Sequence, residues 1–138
     1  MNTSEQVNRC TTYFRMVGDF DPNEITKKLG LKPFECWKKG MRRHGGSLYT
    51  VSAWHFGKCD TYDPDTARQM EQTIRELRGK TALRREIREK YEVSYFLEVV
   101  PRLYPGNVTP SLSPSPEVLE FCHATKTLVD IDMYLADE

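Results

Sequence analysis

Strand-like and helix-like segments alternate along this chain, and that alternation constrains the fold more than anything in its composition. Val7 to Val17 places Cys10, Thr12, Phe14 and Met16 on one side and Arg9, Thr11, Tyr13 and Arg15 on the other, the period expected of a half-buried strand. After Gly18-Asp19, Asp21 can cap a helix with Pro22 at its first position and Glu24 reaching back from the third. Phe20 and Ile25 form a hydrophobic staple, and Gly30 supplies a stop, so this helix is short. Leu48 to Phe56 regains period two, with Trp54 opposing His55, and reads as a second strand. Asp63-Pro64 opens the longest helical stretch, through Ala67, Met70, Ile74 and Leu77, and a second short helix follows Gly79 with Leu83, Ile87 and Tyr91.

Val93 to Val100 is the most apolar strand segment, which suggests a central place in a sheet. A proline-rich connection at about 104–116 leads into a helix that Ser113 or Ser115 can cap and whose apolar stripe is Val118, Leu119, Phe121 and Cys122. Leu128 to Leu135 then puts Val129, Ile131, Met133 and Leu135 on a buried face and Asp130, Asp132 and Tyr134 outside. With the helical hairpin treated as an insertion, the order is strand-helix-strand-strand-helix-strand. The expected fold is therefore an α+β ferredoxin-like sandwich, a four-stranded antiparallel sheet with helices on one face and the last strand beside the first. At 138 residues the chain is one domain with one core.

The strand followed by Asp21 to Pro33 (DPNEITKKLGLKP), Lys39-Gly40 ahead of the strand bearing Trp54, and the closing Val129 to Tyr134 (VDIDMY) together carry a family likeness. In their order and spacing the chain resembles DUF4279, a bacterial family described as a domain of unknown function, over nearly its whole length. The resemblance implies a ferredoxin-like α+β fold and a small, stand-alone bacterial protein. It implies no activity, cofactor or catalytic residue. A basic loop at about 32–47 and the proline-rich connection distinguish this copy.

Lys plus Arg equals Asp plus Glu at 20 each, so no global field draws in nucleic acid or an anionic membrane. The polar segment Met1 to Val7 is not a secretory signal, and no stretch approaches the roughly 18 apolar residues of a membrane span, which places the protein in the cytoplasm. Cys10, Cys36, Cys59 and Cys122 are widely separated and read as free thiols, with Cys10 and Cys122 on apolar faces. His44, His55 and His123 do not combine with them at zinc-ligand spacing, and no phosphate-binding glycine motif is present, so neither metal nor cofactor is expected.

Asp130 and Asp132 point the same way about 6.6 to 6.8 Å apart, within reach of paired acid–base chemistry. A simpler reading pairs them across the sheet with Arg9 and Arg15. Arg9, Tyr13, Arg15, Asp130, Asp132 and Tyr134 thus form the candidate binding surface, rich in the rings and arginines that interfaces favour. Lys38, Lys39, Arg42 and Arg43, close to Trp37 and Tyr49, form a second basic patch, read as a solvated loop or a contact for an acidic protein rather than for nucleic acid. The expectation is a non-enzymatic module that binds another protein or a second copy of itself. The alternative is an enzyme or small-molecule sensor on the open sheet face around Asp130 and Asp132.

Overall fold

The computed structural model describes residues 6–136, so most of the polar segment Met1 to Val7 lies outside the described residues. The elements are β1 (Arg9–Gly18), α1 (Pro22–Leu29), β2 (Glu35–Trp37), β3 (Ser52–Thr61), α2 (Ala67–Ile74), a 3₁₀ turn at Thr81–Leu83, α3 (Glu86–Lys90), β4 (Val93–Leu103), α4 (Pro116–Thr125), β5 (Thr127–Ile131) and β6 (Tyr134–Leu135). The class is α+β, as the segment order implies. The topology departs from the expected one.

The strands run in the order β2-β3-β1-β4-β5, with β6 continuing along β4 beyond β5. β1 lies antiparallel to both β3 and β4, while β5 and β6 lie parallel to β4. The sheet is thus mixed, and its last strands sit beside β4 rather than beside β1, which overturns the four-stranded antiparallel ferredoxin-like arrangement. The physical reason is occupancy: β3 and β4 already pair with both edges of β1, so the strand that the α4 crossover returns parallel to β4 joins the free edge of β4.

The core lies on one side of this sheet. Cys10, Phe14 and Met16 of β1, Trp54 of β3, and Tyr95, Leu97 and Val99 of β4 pack with Ile25, Met70, Ile87 and Phe121 from the four helices in one buried cluster. Polar anchors fix the helices to the strands. Gln69 Nε2 donates to the carbonyls of Cys10 and Cys59 at 2.8 and 2.7 Å, Tyr95 Oη donates to the Leu83 carbonyl at 2.7 Å, and the Trp54 indole N–H donates to Thr26 Oγ1 at 3.1 Å. Burial pushes the Cys10 and Cys122 thiols up to about 11, so both are inert at neutral pH.

Several local expectations are met. Asp21 accepts from the Asn23 amide at the start of α1, Gly30 closes that helix in the left-handed conformation, and Ser115 caps α4 ahead of Pro116. Glu24 does not reach back to the cap; it meets Lys90 and the Tyr91 hydroxyl instead, tying α1 to the end of α3. The longest helix is α4 and not the stretch after Asp63, because α2 ends at Ile74. The basic segment at 32–47 is folded rather than featureless. It contains β2 and a bridge between Arg42 and Leu48, and the second strand begins only at Ser52.

β1 and β3 change register between Thr12 and Phe14, where two residues of β3, Gly57 and Lys58, oppose Tyr13 alone. Gly57 sits at φ 74°, and a Cβ there would lie 2.4 Å from the Thr73 carbonyl oxygen of α2. Only glycine fits. Gly57→Ala is therefore expected to cost about 2–4 kcal/mol, combining left-handed strain with a backbone clash. Gly106→Ala, also at positive φ but facing open space, should cost only about 1–2 kcal/mol. Urea unfolding of the two variants beside the wild type measures the difference.

Candidate functional site

No described helix contributes to the opposite face of the sheet. β1 presents Arg9, Thr11, Tyr13 and Arg15 there, and β4 presents Arg102, Val100, Glu98 and Phe96 in register with them. The bulge at Gly57 shifts the phase of β3, so His55, opposite Arg15, and Asp60, opposite Thr11, both reach this face although they are an odd number of residues apart. Thr11 donates its hydroxyl to Asp60 Oδ1.

One end of the face is an aromatic cluster around His55. The imidazole is only 5% exposed. Its ring centroid lies 5.1 Å from those of Tyr13 and Trp37 and 5.9 Å from that of Phe34. Nδ1 is 3.2 Å from Glu35 Oε2 on the paired strand β2. Burial holds the His55 pKa below its ordinary value, against the opposing pull of Glu35, so the ring is neutral at pH 7 with Nδ1–H donated to the carboxylate. Three buried nitrogens in this region, Arg15 Nε, Trp37 Nε1 and His55 Nε2, have no hydrogen-bond partner among the described residues. Such groups are rare in folded proteins.

The other end is a carboxyl cluster. Glu98 of β4 is 4% exposed and lies in register between Tyr13 of β1 and Asp130 of β5. Burial, then a hydrogen bond and charge repulsion from Asp130, push its pKa up to about 8; Arg15 pulls the other way and Asp132 adds to the rise. Glu98 is therefore largely protonated at neutral pH, where it can donate a hydrogen bond to Asp130. Tyr134 Oη donates to Asp132 Oδ2 at 3.1 Å, and the Arg102 guanidinium lies 5.4 Å from the Tyr134 ring centroid.

Beside both clusters, toward the Arg9–Arg102 end of β1 and β4, is a shallow concavity of about 350 Å³. Its wall mixes the cations Arg9, Lys58 and Arg102, the carboxylates Glu35, Asp60 and Asp132, and the rings Tyr13, Phe34 and Tyr134.

Of the residues singled out in the sequence, Arg9, Tyr13, Asp132 and Tyr134 line this concavity, while Arg15 and Asp130 flank it through Glu98. The pairing expected for them is not the observed one. β5 is not adjacent to β1, Arg9 faces Arg102, and Asp130 faces Glu98, so the proposed Arg9 and Arg15 cross-strand pairs with Asp130 and Asp132 are replaced by a carboxyl–carboxyl contact. The basic patch stands apart: Lys39 pairs with Asp19 at 3.5 Å, Arg42 donates to the Gly46 carbonyl, and Arg43 lies over Tyr49, itself stacked on Trp37. Lys38, like these three, is exposed. Glu98 and Glu35 are functional candidates that sequence reasoning missed, and His55 was weighed there only as a metal ligand. Glu98 carried a signal, being the single charge inside the run VSYFLEVV.

A family model described as Domain of unknown function (DUF4279) matches residues 8–136. Neither the curated proteins nor the solved structures contain a match. No described helix is long and apolar enough to cross a membrane, and no group of three or more His, Cys, Asp or Glu residues among the described residues is arranged to hold a metal ion.

The raised pKa of Glu98 sets a sign for stability against pH. The folded state keeps the proton up to about pH 8 whereas an unfolded glutamate releases it near 4.5, so the contribution is complete below about 4.5 and is lost as pH rises through 8. His55, with its lowered pKa, acts oppositely below its ordinary value of 6.5. The clean window is therefore between 6.5 and 8: the urea midpoint of the wild type should fall across it, and Glu98→Gln should flatten the decline. A midpoint in Glu98→Gln that falls as steeply as in the wild type would show that Glu98 does not hold this proton.

Proposed function

This chain belongs to the DUF4279 family, and because that family is described as a domain of unknown function, we propose from the geometry alone that it is a non-enzymatic protein-binding module of the bacterial cytoplasm. The carrying observation is the helix-free sheet face, where aromatic rings, arginines and carboxylates surround a broad concavity. A wall of this kind suits a macromolecular surface better than a small ligand, since small-molecule sites are mostly apolar and enclosing. Charge of both signs on one patch suits a second copy of the chain. Two such faces related by a two-fold axis can set Arg9, Lys58 and Arg102 of each against Glu35, Asp60 and Asp132 of the other.

A small-molecule sensor or an enzyme on the same face is the second reading, and the Glu98–Asp130 pair favours it. A buried carboxyl that keeps its proton near neutrality can donate a hydrogen bond or a proton to a bound group. Native mass spectrometry of the purified chain separates the readings: a retained small molecule that Glu98→Gln releases would support the sensor or enzyme.

Sedimentation equilibrium over a wide concentration range is expected to show a monomer–dimer equilibrium. Tyr134→Glu should weaken it about tenfold or more by placing a desolvated charge at the contact. A wild type that stays monomeric throughout would remove the self-pairing reading.

A further inference from the structure

The closing segment has the pattern of a strand buried on one face, yet Val129, Ile131 and Met133 are 36%, 48% and 47% exposed. The cause is position. Val129 and Ile131 are in register with the buried Leu97 and Val99 and so lie on the helix side of the sheet, but β5 is the outermost strand and the helix layer stops short of it. The N–H of Asp132 donates to the Val99 carbonyl at 2.9 Å. In a parallel ladder a residue turns its N–H and C=O to the same side and its neighbours turn theirs to the other. Asp130 and Asp132 therefore bond inward to β4, and Val129 and Ile131 direct their N–H and C=O outward, where no described strand pairs with them.

Edges of this kind are normally blocked by lysine, proline or a bulge. Thr127 to Leu135 contains neither lysine nor proline, and its only charges are Asp130 and Asp132, both exposed on the open side. We infer that the β5 edge binds, by strand addition, an extended peptide that alternates apolar with basic residues. Its apolar side chains would lie against Val129 and Ile131, and its lysines or arginines against Asp130 and Asp132. Charge favours this occupant over a second copy of the chain. A two-fold pairing of β5 centred on Asp130 or on Ile131 sets aspartate opposite aspartate; only the register centred on Val129 avoids this, and protection of the Val129 and Ile131 amides in a dimer without any peptide would overturn the inference. This edge adjoins the concavity and shares Asp132 with it, but Val129 and Ile131 lie outside that wall, so their amides report on the edge separately from the proposal above.

The test titrates the full chain with a valine–lysine alternating peptide, its valine–glutamate counterpart, and the valine–lysine peptide broken by a central proline. The lysine peptide is expected to bind about tenfold or more tightly than either of the others, from two favourable cross-strand pairs against two repulsive ones or a lost ladder. It should also slow hydrogen exchange at the Val129 and Ile131 amides. Val129→Pro removes an outward N–H while sparing the inward ladder and should abolish binding; should that variant fail to fold, Ile131→Lys is expected to do the same by setting a charge against the peptide's apolar side chains. Equal affinity for the lysine and glutamate peptides, or protection that appears at Tyr13 and Phe34 instead of Val129 and Ile131, would overturn the inference.

Discussion

The architecture depends on the pairing of β1 along both of its edges. From Cys10 to Gly18 this strand is matched residue by residue with β4 on one side and, around the single bulge opposite Tyr13, with β3 on the other. That double ladder fixes which side chains face the helices and which do not. Because the strand period is two, the same ladder that sends Phe14 and Met16 into the core sends Tyr13 and Arg15 to the opposite face. Core and candidate site are two outcomes of one register, and a slip of β1 by a single residue would exchange them.

The carboxyl cluster follows from a second consequence of topology. Had the last strand returned beside β1, Asp130 would have met arginines; the crossover through α4 carries it beside β4, where it meets Glu98. A single charge in an apolar central strand is tolerable only if it is neutralised or paired. Here a retained proton performs that task, and Arg15 moderates it without forming an ion pair among the described residues. The pair is thus both a structural accommodation and a source of reactivity.

Much of this was legible in the sequence, and what was not has physical reasons. The caps Asp21, Gly30 and Ser115, the inward side of β1 and the helix class of the hairpin are local patterns, set by nearest neighbours in the chain. That Arg9, Tyr13, Asp132 and Tyr134 lie on one face of the sheet was also legible, because they share the polar phase of their strands. Strand adjacency could not be read, since period two says which way a side chain points and nothing about which strand lies beside it. The β3 phase was hidden for another reason: the bulge at Gly57 answers to the backbone of α2, a contact between segments that only the folded chain brings together. The exposure of Val129 and Ile131 was missed because an apolar alternation looks the same on a covered strand and on an edge.

The double pairing of β1 has a kinetic consequence. Arg9 is matched with Arg102 and Gly18 with Val93, so β1, synthesised ahead of the other described strands, waits until β4 emerges before its second edge is satisfied. Until then β1 and β3 form a hairpin-like pair whose apolar side has only α1 and α2 to cover it, and loop closure over such a separation is slow. A nascent chain of this design spends its synthesis time with a central strand presented as an edge, the exposure that chaperones recognise.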